Sequence, residues 1–475
     1  MISLDSGGRK VMKKKHEVPI RQKISWGLGG FAENLANNAI LTLAYPIYNV
    51  ALGMSPMFIG IALAVSRILD AITDPIMGNI TDNTRSRWGR RRPWIFLGSI
   101  LMALFFCLIW IIPTGLSETG NFIYLTLMAV MFFVGFTIFI IPYSGLGLEL
   151  VVDYDERTVL QTFRLVPAFI GGMMTPWLYK LSLLDIFKHD TLPTELNGIK
   201  YVGAGAAILI LLTAMAPALF TRERYAGMAG EKLKIIPAIK MTFSDRPFLM
   251  LVGAYFFVFI GLFFINPLLV YIGIYHVCGG DKIFYSEIAG IVGTSCAVGQ
   301  MVSMPVIAWA AKFVDKKALL FAGLSVALTG YWSSWWLFSP AHPWLQIGPP
   351  LVTNIGLTVC WVVNGSFVAD VCDFDELKTG RRREGMYSAV FGFVYKNALG
   401  IVALLSSYML VWAGIDAVSQ TVAMESLTKV RVAYIIFPTL CLGASIALMV
   451  NYPLTRKKVG EIQEQLKARR GEIKL

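Results

Sequence analysis

Twelve blocks of apolar residues, each about as long as a helix needs to be to cross a lipid bilayer, leave this chain few folds to choose from. They lie at 24–52, 55–81, 94–113, 121–151, 159–179, 201–220, 247–275, 283–312, 318–338, 344–371, 385–414 and 427–453. Of its 475 residues 56% are hydrophobic and only 15% charged, more apolar surface than one aqueous core hides. Lipid offers the backbone no hydrogen bonds, so such blocks become helices; a barrel would show short alternating segments instead. The expected fold class is an all-α polytopic membrane protein.

A formal net charge of +12 would suit a nucleic-acid partner, but its distribution points elsewhere. Most of the 42 Lys and Arg fall in the two tails and in alternate loops, at 1–23, 82–93, 152–158, 221–246, 312–317, 372–384 and 455–475. The opposite loops hold only a few, such as Lys188, Lys200 and Lys282. This is the positive-inside bias, which predicts a multi-pass protein of the inner (cytoplasmic) membrane with both termini cytoplasmic. Membrane lipid is its surrounding partner, and no nucleic acid is expected. No short apolar stretch with a small-residue cleavage site precedes the first block, so no signal peptide is expected. The six cysteines show no metal or CxxC spacing, and no disulfide is expected.

An internal repeat divides the chain. Val152-Asp153-Tyr154-Asp155-Glu156-Arg157-Thr158 recurs as Cys372-Asp373-Phe374-Asp375-Glu376-Leu377-Lys378-Thr379, each copy on a loop leading into a new span. The charged segment 221–246 lies between the halves. The expected organisation is a tail at 1–23, a six-helix bundle at 24–220, a linker at 221–246, a second six-helix bundle at 247–454 and a tail at 455–475. Six plus six, with charged loops after helices 2, 4, 8 and 10, is the major facilitator plan, in which the halves rock about a site near mid-membrane.

A charge at mid-bilayer costs roughly 2.5–3.5 kcal/mol on insertion scales, so each one needs a reason. Helix 2 holds Arg67, Asp70 and Asp74. The aspartates are four apart and so share one helical face. Two carboxylates one turn apart repel unless something positive lies between them: a bound cation, a proton, or Arg67 with a lysine from elsewhere. Arg164 in helix 5 and Lys396 in helix 11 are further buried cations. A static salt-bridge cluster is one reading. The other is a Na⁺ site, since hard cations want several oxygens, which Asp70, Asp74 and the hydroxyls of Thr73 or Thr137 can supply; H⁺ is the alternative coupling ion. Glu149, Asp370 and Asp373 fall at the inner ends of helices 4 and 10. They read as gate charges that pair with Arg85, Arg87, Arg381 and Arg382 when the inner face closes, or else as ordinary solvated loop charge.

The run Arg67-Ile68-Leu69-Asp70-Ala71-Ile72-Thr73-Asp74-Pro75-Ile76-Met77-Gly78, with Thr84-Arg85-Ser86-Arg87-Trp88-Gly89-Arg90-Arg91-Arg92-Pro93-Trp94 after it, resembles the melibiose permease branch of the glycoside–pentoside–hexuronide:cation symporters. So do Lys23 to Gly29, Ile141-Pro142-Tyr143 and Val368-Ala369-Asp370. The resemblance implies that Asp70 and Asp74 ligate the cation with Thr137 beside them, and that Arg164 and Lys396 stand near the cation and sugar sites. It implies also that Trp361 lines the sugar pocket, where an indole stacks on a sugar's apolar face. Galactoside carriers of the family use acids on helices 1 and 4; here those positions read Asn34, beside Glu33, and Ile140. The run Ala36-Asn37-Asn38 and Ile141-Pro142-Tyr143 look more like the glucuronide carriers. A pocket of Glu33, Asn34, Asn38, Tyr143, Arg164, Trp361 and Lys396, poorer in acids, would suit an anionic sugar such as a uronide or sulfonated sugar.

Other functions fit less well. The four histidines are scattered without HExxH, and there is no P-loop, so neither a membrane enzyme nor self-contained ATP-driven transport is expected, and no cofactor. A cation-coupled lysolipid or amphiphile carrier of the same fold is the rival, because animal lysolipid symporters resemble the same family. A single chain is expected to suffice.

Overall fold

Local chemistry sets where the apolar blocks start and stop as helices. In the computed structural model, which describes residues 3–4, 10–11, 18–151, 154–223, 245–380, 383–415 and 422–472, the first half of the chain forms α1 (Ile20–Ala44), α2 (Pro56–Asn83), α3 (Arg92–Trp110), α4 (Glu118–Leu150), α5 (Tyr154–Ser182) and α6 (Thr194–Phe220). The second forms α7 (Arg246–Tyr271), α8 (Lys282–Ala310), α9 (Lys316–Leu337), α10 (Gly348–Thr379), α11 (Glu384–Trp412) and α12 (Met424–Val450). Side-chain caps open several of them: Asp281 accepts from the N–H groups of Ile283 and Phe284, and Asp315 from that of Lys317. Gly380, at φ 71°, closes α10 in the left-handed conformation that a side chain would resist.

Nine of the described helices are long and apolar enough to cross a membrane by length and composition alone. The exceptions, α1, α5 and α9, are still 25, 29 and 22 residues long. Two of them are too polar for a reason that matters below: α1 carries Glu33, Asn34, Asn37 and Asn38, and α5 carries Arg164.

The packing repeats. Helix α1 lies against α5 and α6 as α7 lies against α11 and α12; α3 packs on α4 and α6 as α9 packs on α10 and α12. Even an irregularity repeats, since α1 and α7 each run on into a π-helical turn, at Tyr45–Ala51 and Ile272–Val277. The halves meet along two symmetry-related pairs, α2 with α11 and α5 with α8. This is the major facilitator fold, two six-helix halves.

Apart from the charged contact between α2 and α11 described below, polar contacts between the halves gather at the end away from the basic loops. There the Tyr271 hydroxyl donates to Asn49 Oδ1 at 2.6 Å, Lys282 pairs with the buried Glu195 at 2.7 Å, and Lys180 pairs with Glu287 at 3.3 Å. At the basic-loop end, by contrast, the ion pairs among the described residues stay within one half. Glu149 binds Arg90 and Arg91, Lys23 binds Glu156, Lys316 binds Asp370, and Arg383 binds Asp375. The Glu223 carboxylate ties this end of the first half together by accepting from the N–H groups of Arg90, Arg91 and Arg92 at the start of α3.

Two sequence expectations change. The repeated acidic motif is not on matching loops: Cys372–Thr379 forms the last turns of α10, whereas Tyr154 opens α5 and Val152–Asp153 lie outside the described residues. The segment 455–475, expected as a tail, folds from Arg456 to Glu472 into a thirteenth helix, α13. Val459, Ile462 and Leu466 are spaced three and four apart, so they make one apolar stripe, buried against α10.

Candidate functional site

Helix α2 brings Arg67, Asp70 and Asp74 to the seam with α11, and the lysine that the repulsion argument required arrives from there. Lys396 Nζ lies 3.0 Å from Asp70 Oδ2 and 2.6 Å from Asp74 Oδ2. The Asp70 side chain is fully buried, and Asp74 keeps 26% of its surface. At these distances the ammonium forms a charge-assisted bridge between the two carboxylates.

The rest of the cluster comes from α1 and α4. Thr137 donates to Asp70 Oδ1 at 2.7 Å and stands 3.3 Å from Asp74 Oδ1. The Thr73 hydroxyl donates instead to the Asp70 carbonyl, at 3.1 Å, and to Thr137 Oγ1. Of the two hydroxyls expected near a cation, Thr137 is therefore the one against the carboxylates. Arg67 is 3.8 Å from Asp70 Oδ2, donates to Asn37 Oδ1 at 2.7 Å and covers the Phe133 ring at 4.2 Å. Carboxylates, an ammonium, a guanidinium and a hydroxyl thus share one small buried volume, where each charge interacts far more strongly than in water.

A second charged pair sits on α1 and α5. Arg164 donates through Nη2 to both oxygens of Glu33, at 2.8 and 2.7 Å, and through Nε to Oε2 at 3.2 Å. Helix α5 comes this close because α1 has Gly30 here: a Cβ on it would lie 2.5 Å from the Arg164 carbonyl oxygen. Beside the pair, Asn38 donates to Asn34 Oδ1 at 2.5 Å. Tyr143 is a floor beneath it: its ring is buried under the Arg164 guanidinium at 5.6 Å, and its hydroxyl donates to the Trp26 carbonyl. Trp361 stands across the seam on α10, 43% exposed, with its ring against Phe259 and Tyr395.

Glu33, Asn34, Asn38, Tyr143 and Arg164 therefore form one group, and Asp70, Asp74, Thr137 and Lys396 another, with Trp361 apart from both. The excess positive charge expected from Arg164 and Lys396 is absent, because Glu33 takes up the first and the two aspartates the second. The expected gate charges are dispersed. Glu149 binds Arg90 and Arg91 rather than Arg85 or Arg87, which are exposed; Asp370 binds Lys316; and Asp373 accepts from Gln463 of α13. Arg381 and Arg382 lie outside the described residues.

Sequence reasoning missed Asn37 as the partner of Arg67, and Tyr395, a half-buried ring within electrostatic reach of Arg67 and Glu33. Its position beside Lys396 was the available signal. The outer pair Lys282–Glu195 was missed too, although Lys282 stood out as one of the few cations on its side.

Residues 25–456 match the model of a family described as MFS/sugar transport protein. Among curated relatives, the chain is 27% identical to an uncharacterized symporter of Synechocystis sp., over 94% of this chain and 96% of that one. It is 24% identical to the isoprimeverose transporter of Lactiplantibacillus pentosus, over 96% and 92%. The crystal structure of a D-xylose–proton symporter superimposes with a TM-score of 0.67 at 15% identity, covering 92% of this chain and 98% of that one, which speaks for the fold. A family match across nearly all twelve spans, on a chain with this helix plan, makes it a member of the glycoside–pentoside–hexuronide type of sugar symporter within the major facilitator superfamily.

Proposed function

We propose that this protein carries a sugar or glycoside across the cytoplasmic membrane by symport with a cation, Na⁺ before H⁺. Both termini face the cytoplasm, and the halves as described are closed toward the outside. The observation that carries the reading is the Lys396 ammonium between Asp70 and Asp74, beside Thr137. An ammonium bridging two carboxylates stands where a free monovalent cation would compete for the same oxygens. Asp70, Asp74 and Thr137 then offer a hard ion several oxygens at once. A proton needs only one carboxylate, so it makes poorer use of the second acid.

Lys396 provides the coupling. Displaced from the aspartates, it stays on α11 next to Tyr395, which lies against Trp361, the aromatic that we assign to the sugar. The other wall of the pocket is Glu33, Asn34, Asn38 and Arg164, with Tyr143 as its floor. Cation binding on α2 thus alters the C-terminal side of the pocket, and by linkage the sugar raises cation affinity by the same factor. Glu149, Asp370 and Asp373 hold partners within their own halves while the inner end is parted. On closure they exchange them for arginines of the other half.

The substrate's charge turns on Glu33. A neutral glycoside hydrogen-bonds to the Glu33–Arg164 pair intact, whereas a uronide or sulfonated sugar reaches the guanidinium only by displacing Glu33. Membrane vesicles holding the protein, given an inward Na⁺ gradient, should accumulate labelled glycoside, and the neutral sugar should compete better than its uronide. Accumulation of labelled lysophospholipid with no sugar uptake would replace this reading by the amphiphile carrier.

A further inference from the structure

A groove of about 430 Å³ opens on the flank of the second half, away from the charged seam. It lies between α8, α9 and α10, and its walls are apolar: Val302 and Val306 from α8, Ala322 and Val326 from α9, and Val359 from α10. Val302 and Val306 are 65% and 61% exposed, so the groove opens sideways, to the surface that the bilayer covers. Its floor is deep because α9 and α10 touch through glycine. A Cβ on Gly323 would lie 2.7 Å from the Gly356 carbonyl oxygen, and one on Gly356 would lie 2.5 Å from the Gly323 oxygen.

The groove has a depth and a charged end. On α8 its lining runs from Gly299 to Ile307. At a rise of about 1.5 Å per residue this is about 12 Å, most of one leaflet's half of a bilayer's roughly 30 Å hydrocarbon core. Where the lining ends, the aromatic side chains of Trp309 and Phe313 stack edge to face and lie exposed, as belt residues do at the lipid–water interface. Just beyond stand Lys312, Lys317 and Arg456. Lys317 donates to the Val450 carbonyl, and Arg456 to the carbonyls of Phe313 and Lys312; among the described residues no carboxylate side chain forms an ion pair with Lys312, Lys317 or Arg456. The carboxylate nearest in sequence, Asp315, already accepts from the N–H groups of Lys317 and Arg456.

We infer that this groove holds one acyl chain of an anionic phospholipid of the surrounding leaflet, with the phosphate at Lys312, Lys317 and Arg456. An apolar slot that spans most of one leaflet and ends at these cations at headgroup level matches a lipid of that charge. A helix from a second copy would fill the slot and leave the cations unused. Bound there, the lipid wedges α8 against α9 and α10 and joins them to the start of α13.

The test uses the full-length protein in detergent, titrated with phosphatidylglycerol or phosphatidylcholine of the same acyl chains and read by native mass spectrometry. The wild type should retain phosphatidylglycerol in preference. Lys312→Gln with Lys317→Gln should cut that preference by roughly fivefold per lysine. Val302→Trp, which fills the slot from an exposed position, should weaken both lipids alike and leave the preference intact. Equal retention of the two lipids by the wild type, or an unchanged preference in the lysine variant, overturns the inference. So does a Val302→Cys variant that cross-links to a second copy in phosphatidylglycerol bilayers.

Discussion

The two seams that join the halves are related by the fold's repeat, yet they are built from opposite materials. Between α5 and α8, Trp177 and Pro176 press on Gly290 and Gly293, and the Trp177 indole donates to Thr294 at 2.9 Å. The only ion pair there among the described residues is Lys180–Glu287, at the outer end and partly exposed. Between α2 and α11 the outer part is similar, with Gly60 receiving the Ser407 side chain. Further in, Asp70, Asp74 and Lys396 take the place of small and aromatic residues. The α5–α8 seam joins the halves chiefly through glycine, an aromatic ring and one hydrogen bond, with the Lys180–Glu287 pair at its outer end. The charges on the other seam carry a desolvation cost that this packing avoids, and the cation site proposed above is the role we assign to them.

The contrast breaks most sharply at Lys396. Lys396→Met leaves two carboxylates buried one turn apart, and removing one partner of a buried pair costs about 3–5 kcal/mol. We expect a large fall in the thermal unfolding midpoint, substantially restored by adding Asp70→Asn. A Lys396→Met protein as stable as the wild type would mean that the charges are not coupled. The opposite seam gives a smaller effect. Trp177→Phe keeps the ring against Gly290 and loses one hydrogen bond, worth about 1 kcal/mol, and it should leave cation-stimulated sugar binding unchanged. A loss of cation stimulation in Trp177→Phe would show that the neutral seam, too, belongs to the coupling.

The fold was legible because bilayer thickness imposes a length on every span and the basic residues mark alternate loops. Most helices fall within a few residues of their apolar blocks, but α6 begins at Thr194 instead of 201 and α10 runs on to Thr379 instead of ending at 371. Where the reading stopped short, amphipathic pattern was the reason: α13 carries only three stripe residues among many charges, and the end of α10 looks like a loop because Asp373, Asp375 and Glu376 are polar. The site divides in the same way. Asp70 and Asp74 announce themselves through local spacing on one helix. The partners Lys396 and Arg164 stood out as isolated buried charges, but which acid each would meet depends on packing between helices far apart in the chain. Glu33 illustrates the point: in the sequence it is one pocket residue beside Asn34, and only the close approach of α5 at Gly30 makes it the counter-ion of Arg164.

The central claim is that Asp70 and Asp74 hold the coupling cation together, exchanging it for the Lys396 ammonium. Sugar affinity measured with and without sodium, at fixed pH and ionic strength, tests this in the wild type, Asp70→Asn and Asp74→Asn. The account predicts that sodium raises affinity severalfold or more in the wild type and has no effect in either variant, with weak sodium-independent binding surviving in both. The same sodium dependence in all three proteins would contradict it.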